Sequence, residues 1–504
     1  MPDKRPNILL ITSDQQHFDT LGVTNPRIKT PNLNRLAYEG TRFDRAYCPN
    51  PVCTPTRASL ITGVYPSQHG AWTIGCKLPE DVPTVGEVFQ QNGYATGLIG
   101  KAHFQPLKSK PGSESLECHP TLRNLDFWRK FQGPWYGFEH IEITRNHVDE
   151  HLVGEHYAIW MEEQGLKNWR DYFMKWPPEE GDKHRKFKWD IPEEYHYSKW
   201  TADRSIAYLE KCKEDDKLFF LWSSFHDPHP PYLVPEPWAS MYDPDDMVPG
   251  KLTPGEHDLN PPYFRKTQEE KPDFSMYKET FGAHGFHSHL TKPEELRKGI
   301  ATYYGMISFM DQQIGRILEA LDRLGMAHNT MVVFTTDHGH FTGQHGLVAK
   351  GPFHYEDMLR VPMIVWYPGR VPQNVVSDSL QSLVDYSPTF LAAAGIDVPG
   401  YMTGLNEYDV WCGRRDSLRD YVIVENRHEP TLVHLRTYVD KRYKITVHRD
   451  RPYGELFDLQ EDPGEAHNRW NDPTYASVKS DLLHKFTNAA LDCEPTRMPR
   501  IAGA

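Results

Sequence analysis

Four apolar runs, each of strand length and each stopping at a residue able to do chemistry, constrain this 504-residue chain more than any other feature. Asn7-Ile8-Leu9-Leu10-Ile11-Thr12 stops just short of Asp14, and Tyr94 to Gly100 delivers Lys101 and His103. Leu218-Phe219-Phe220-Leu221-Trp222 leads to His226 and His229, and Met331-Val332-Val333-Phe334 ends at the pair Asp337-His338. Runs that are apolar throughout suit strands covered on both faces, hence a largely parallel sheet between helices. The intervening segments supply those helices. Thr30 to Ala37, Pro83 to Phe89 and Thr201 to Cys212 have helical spacing or caps. Within 293–325, Ile300, Tyr303, Ile307, Met310, Ile314, Leu318 and Leu321 form one apolar stripe. A fifth strand is expected at Pro362 to Tyr367 and a helix from Asp385 to Leu391. The fold class is therefore α/β, a large, mostly parallel sheet sandwiched by helices. Such sheets bind ligands at the carboxyl ends of their strands, so the four run-ending groups should share one crevice. Taken singly, Asp14 reads equally well as a helix cap, and a lone Lys101 or His103 as solvated surface.

Beyond a loop to about 418, Tyr421 to Glu425, Arg436 to Val439 and Tyr443 to Val447 have the short, β-branched and aromatic character of a small antiparallel sheet. The chain divides accordingly into a catalytic domain over 1–410 and a smaller C-terminal α+β subdomain over 411–504. The larger domain carries insertions at about 105–200 and 233–293. The first holds seven of the 13 tryptophans (Trp128, Trp135, Trp160, Trp169, Trp176, Trp189, Trp200), most of which should simply pack the insertion. The formal charge is −13 with no basic cluster, which argues against nucleic acid, and no apolar run nears the ~20 residues that span a bilayer. Seven scattered cysteines do not form a disulfide framework. The run Met1 to Pro6 leads straight into a strand without a signal-peptide core, so a cytoplasmic protein is expected.

One loop breaks the strand–helix rhythm. Cys53-Thr54-Pro55-Thr56-Arg57 runs into Ala58-Ser59-Leu60-Ile61-Thr62-Gly63 and reads as a loop entering a helix. This sets the Cys53 thiol near a helix N-terminus, whose free N–H groups and dipole favour negative charge. Arg57 adds a planar cation one turn on. A lone cysteine in this position would ordinarily be a buried structural thiol. Asp14 and Asp337 offer hard oxygen ligands and His338 one imidazole, a set suited to Ca2+, Mg2+ or Mn2+ beside an anion held by Lys and Arg. A metal, several cations and a helix N-terminus describe a site for a tetrahedral oxyanion ester.

The motifs carry a resemblance. C-T-P-T-R followed by L-x-T-G at Cys53, T-P-N-L-x-R-L-A-x-x-G-x-x-F from Thr30, G-K-x-H at Lys101, P-H-x-P at His229 and D-H-G-x-x-x-G-x-H-G-x-x-x-K from Asp337 to Lys350 resemble the signatures of the type I, formylglycine-dependent sulfatases of the alkaline phosphatase superfamily. Near the C-terminus, Glu455 to Leu459 and Asp462-Pro463-x-Glu465 fit the same family. The resemblance implies an alkaline-phosphatase-like fold and cleavage of sulfate monoesters to alcohol and inorganic sulfate. It implies that Asp14, Gln15, Asp337 and His338 hold one divalent metal together with the Cα-formylglycine formed from Cys53. One hydroxyl of the hydrated aldehyde would attack sulfur; His229, with Lys350, would assist departure of the alcohol. His103 would then take the second hydroxyl's proton, Arg57 would steady the hydrate, and Lys101 and Lys350 would grip sulfate oxygens. The partners implied are a sulfated small molecule or saccharide and, during maturation, a formylglycine-generating enzyme; a homo-oligomer is allowed.

Two pairs depart from the commonest pattern: Asp14-Gln15 where many members have Asp-Asp, and Asp337-His338 where they have Asp-Asn. The site thereby loses a carboxylate's charge, which keeps Ca2+ as the expected ion but brings Mn2+ or Mg2+ into contention. Phosphonate monoester hydrolases, close relatives that also use formylglycine, share both pairs, so phosphonate monoester or phosphodiester hydrolysis is the alternative function. A catalytically dead glycan-binding relative is a further reading, which the intact set of site residues opposes.

Overall fold

The computed structural model describes residues 5–145, 147–175, 187–277, 291–429 and 432–494. Eight strands form the central sheet: β1 (Asn7–Ser13), β2 (Thr41–Phe43), β3 (Ala95–Gly100), β4 (His140–Ile143), β5 (Phe219–Ser224), β6 (Thr330–Thr336), β7 (Ile364–Trp366) and β8 (Val375–Ser377). Their order is β8-β2-β7-β6-β1-β5-β3-β4. The five strands from β6 to β4 are mutually parallel. The expected strand over 362–367 is present as β7, but it runs antiparallel to both β6 and β2. The sheet is thus mostly parallel with a mixed edge.

Alternation along β1 explains why its run is apolar without a break. Ile8 and Leu10 enter one core with Leu98, Met331 and Val333, while Leu9 and Ile11 enter the other with Val332 and Phe334. The second face is covered by α5 (Pro293–Arg323), following α1 (Pro31–Glu39), α2 (Cys53–Thr62), α3 (Val85–Gln91) and α4 (Tyr197–Glu214) in the chain. The whole stripe from Ile300 to Leu321 is buried, each large aliphatic contributing about 1.5–3 kcal/mol. The first face receives α2, α3 and α6 (Tyr386–Ala393). Helix α3 opens with the capping box that its sequence announces, Thr84 accepting from the Glu87 amide while Glu87 accepts from the Thr84 amide.

Four antiparallel strands follow: β9 (Val422–Glu429), β10 (Val433–Val439), β11 (Tyr443–His448) and β12 (Gly454–Asp458). One face of this sheet, through Ile423, Tyr438, Ile445 and Leu456, carries α7 (Ala476–Asp492). The other, through Val433, Leu435 and Phe457, packs on Phe341, Phe353 and Tyr355 of the larger unit. Polar ties reinforce this seam. The Glu425 amide donates to the Pro49 carbonyl at 2.8 Å, four residues before Cys53, and Lys444 is buried between Glu356 and Glu465. In the aromatic insertion Trp128, Trp169, Trp189 and Trp200 are fully buried, so they pack it as expected; Trp176 lies outside the described residues.

Candidate active site

Each parallel strand delivers its group to the same end of the sheet. Asp14 and Gln15 follow β1, Lys101 follows β3, His226 and His229 follow β5, and Asp337 and His338 follow β6. Cys53 is the first residue of α2, at its N-terminus. One ligand atom from each of Asp14, Cys53, Asp337 and His338 lies within 4.8 Å of the others, and all four side chains are buried. Gln15 has φ +61, a left-handed conformation held by its amide donating to Asp337 Oδ1 at 2.9 Å and its carbonyl accepting from the Tyr303 hydroxyl. Gly100 ends β3 with φ +105 so that Lys101 can turn inward; a Cβ there would stand 1.8 Å from the Ser224 carbonyl oxygen.

The donor set fits a hard divalent ion. Gln15 Nε2 donates to His340 Nδ1 at 2.9 Å, which leaves its buried Oε1 with no hydrogen-bond partner. His338 Nδ1 donates to the Gly339 carbonyl at 3.0 Å, so the lone pair of Nε2 faces the cluster, 3.2 Å from Cys53 Sγ. Burial opposes charge on Asp14, but Lys101, Arg57, Lys350 and His338 overcome it and hold the carboxyl well below the usual range. Asp337 is likewise buried and faces Asp14, yet His338, Arg57 and Lys101 lower it, so both carboxylates are ionised.

Cations surround this core. Buried Arg57 donates from Nε to Asp337 Oδ2 at 2.9 Å and from Nη1 to Ser224 Oγ at 2.8 Å and the Lys101 carbonyl at 3.0 Å. Lys101 Nζ pairs with Asp14 and lies 3.2 Å from His147 Nε2. Lys350 Nζ stands between Cys53 Sγ and His229 Nε2, 3.2 Å from each. Burial alone would raise the Cys53 thiol, but Lys101 and Lys350 pull it below its ordinary value. The His229 ring donates from Nδ1 to the Pro230 carbonyl, so Nε2 receives the hydrogen bond from Lys350. Burial, Lys350 and Lys101 keep His229 neutral.

His103 lies at the border of this group. Its backbone takes φ +60, fixed by its amide donating to Glu117, and its Nε2 accepts from Arg145 Nη2 at 2.6 Å. The remaining proton sits on Nδ1, which is buried without a partner. Burial and then Arg145 push this imidazole well below its ordinary pKa.

Ten side chains expected from sequence thus lie in or against one buried cluster. Three more belong to it without having been singled out. His147 stacks on His229 with centroids 4.0 Å apart, Arg145 binds His103, and His340 orients Gln15. The first two sit in an irregular stretch after β4, where no periodicity marks them; His340 follows the Asp337-His338 pair and could have been noticed by proximity. His226, which also follows β5, bonds the Thr144 carbonyl at 3.0 Å.

A sulfatase family model matches residues 6–396, and a model of the C-terminal part of N-sulphoglucosamine sulphohydrolase matches residues 343–491. An arylsulfatase of Clostridium perfringens is 30% identical over 492 residues, spanning 96% of this chain and 93% of its own. The uncharacterized sulfatase YidJ of Escherichia coli is 28% identical over 496 residues, spanning 97% of this chain and 87% of its own. Among solved structures, a phosphonate monoester hydrolase of Agrobacterium radiobacter superposes with TM-score 0.79 at 26% identity, covering 97% of this chain and 96% of that one.

Proposed function

The chain belongs to the sulfatase family and is a sulfuric ester hydrolase; from that premise we propose that the cluster around Cys53 is where a sulfate monoester is cleaved to alcohol and inorganic sulfate. The observation that carries this reading is the convergence of Cys53 with three metal-type ligands and three cations in one buried pocket. Asp14, Gln15, Asp337 and His338 would hold a divalent ion, Ca2+ by the predominance of oxygen donors, and residue 53 would complete its shell. With Cys53 converted to formylglycine by a formylglycine-generating enzyme, the bound ion would supply Lewis acidity that makes a hydroxyl on residue 53 nucleophilic near neutral pH.

The chain's own residues do the rest. Lys101 and Lys350 offer charge to sulfate oxygens from two sides, and Arg57, tied to Asp337, fixes the first turn of α2 around residue 53. His229 uses its Nε2 lone pair to hold Lys350, whose remaining N–H groups then face the ester, so Lys350 carries the proton taken up by the departing alcohol oxygen. His103 must take a proton at Nε2 when the aldehyde is regenerated, and Arg145 competes for that lone pair. Arg145 thereby sets how basic His103 is.

The likeness to a phosphonate monoester hydrolase favours one competing reading, in which the same site prefers phosphonate monoesters. Lys101 and His103 speak for sulfate: a lysine balances one sulfate oxygen, and a histidine suits elimination from the hydrate. The deciding comparison is kcat/KM for an aryl sulfate and a phenylphosphonate monoester with the same leaving group. The sulfate should win; a ratio favouring the phosphonate overturns the assignment.

A further inference from the structure

Building on the sulfate-ester reading above, we propose that the cavity beside His229 and Lys350 binds the alcohol half of the substrate, and that this alcohol is an apolar alkyl or aryl group. The cavity has a volume of about 350 Å3. That is at the lower end of the ~300–1,000 Å3 of small-molecule pockets. Its walls grow out of the two residues that flank the departing oxygen. Pro230, Pro231 and Tyr232 follow His229 directly, and Val348-Ala349 lead into Lys350. Leu296 and Gly299, on the first turns of α5, close the far side.

The chemistry of the wall chooses the ligand. Among the described residues that line it there is no lysine or arginine to receive a second sulfate. Among the described residues its polar side chains are Thr291, the exposed Glu295 and Tyr232, few for a sugar, which needs a donor or acceptor for most of its hydroxyls. The Tyr232 hydroxyl is already committed to His340 Nε2 at 2.7 Å. That bond also joins the cavity wall to the catalytic wall, since His340 Nδ1 is held by Gln15. Glycine at 299 keeps the space open: a Cβ there would stand 3.2 Å from the Tyr232 ring. Proline rings, an aromatic face and a leucine in one cavity match an apolar chain or ring, whose removal from water drives binding.

A series of n-alkyl sulfates from ethyl to hexyl tests this, because the leaving-group chemistry stays nearly constant while buried length grows. Each buried methylene is worth about fourfold, so kcat/KM should climb about 250-fold over the four methylenes from ethyl to hexyl in the aldehyde-bearing enzyme. In Leu296→Glu, which adds a second carboxylate next to Glu295, and in Gly299→Leu, which fills the space, the climb should shrink below about tenfold. Either variant suffices if the other does not fold. A flat series in the wild type, or glucosamine 6-sulfate preferred over hexyl sulfate, overturns the apolar subsite while turnover of ethyl sulfate keeps the sulfatase reading intact. Failure to release sulfate from any of these esters removes both.

Discussion

Lys444→Met cuts a buried ionic tie between the C-terminal sheet and the catalytic unit. The ammonium is wholly buried, 3.4 Å from Glu356 Oε1 and in contact with Glu465, and the Glu356 amide donates to Glu465 at 2.6 Å. Methionine keeps the stem and removes the charge, leaving two buried carboxyls without their common cation. Breaking a buried pair in this way costs about 3–5 kcal/mol. At ~2.1 cal/mol/K per residue, 504 residues unfold with an entropy of about 1 kcal/mol/K, so Tm should fall by about 3–5 °C. The loss has a direction in pH. Burial lifts the Glu465 carboxyl above its ordinary range, Lys444 draws it back and Glu356 lifts it again, so removing Lys444 raises it further. A carboxyl whose folded pKa exceeds its unfolded value binds more protons when folded, and stability then falls as pH rises through that interval. The deficit in Tm should therefore be larger at pH 8 than at pH 5.5, and Glu465→Gln in the same background should recover part of it. Scanning calorimetry of the wild type, both single variants and the double variant at the two pH values is the assay. A Tm unchanged at pH 8, or a deficit larger at pH 5.5, would refute the reasoning.

Three further outcomes are expected. Arg145→Gln removes the guanidinium that depresses His103, so the acid limb of the kcat profile for an aryl sulfate, which includes regeneration of the aldehyde, should move to higher pH; an unmoved limb would deny the coupling. A chelator should abolish sulfate release and lower Tm, Ca2+ should restore both, and Gln15→Ala should raise the Ca2+ concentration needed for half-restoration, measured by titrating Tm. Gly100→Ala forces a methyl into the Ser224 carbonyl, so it should cost at least ~2 kcal/mol and lower kcat by displacing Lys101; wild-type Tm and kcat would contradict the geometry described for β3.

Groups borne by long parallel strands were readable because their runs are apolar on both faces and stop abruptly at a polar residue. Asp14, Lys101, His229 and the Asp337-His338 pair are all of this kind. Strands of three residues, such as β2 and β8, offer no period to detect, and β7 shows its apolar run but nothing of its direction, which depends on a crossover far away in sequence. Cys53 is different in kind: its thiol in a helix cap is chemically ambiguous alone, and only the motif around it gave it a role. His147 and Arg145 were hidden for the opposite reason. They sit in a loop whose path follows from packing of the aromatic insertion, so nothing local announces that one will stack on His229 and the other bind His103. The side-chain oxygen of Gln15 gains its meaning only in three dimensions, where His340 takes the amide nitrogen and leaves the oxygen buried without a hydrogen-bond partner.

The most direct measurement pairs peptide mass spectrometry of residue 53 with aryl sulfate turnover in the same preparations. Samples produced with and without a formylglycine-generating enzyme will span a range of conversion. The expected result is that kcat per mole of protein rises in proportion to the aldehyde fraction at position 53 and vanishes in Cys53→Ala. Undiminished sulfate release from protein whose Cys53 remains entirely thiol, or from Cys53→Ala, would contradict a nucleophile at this position.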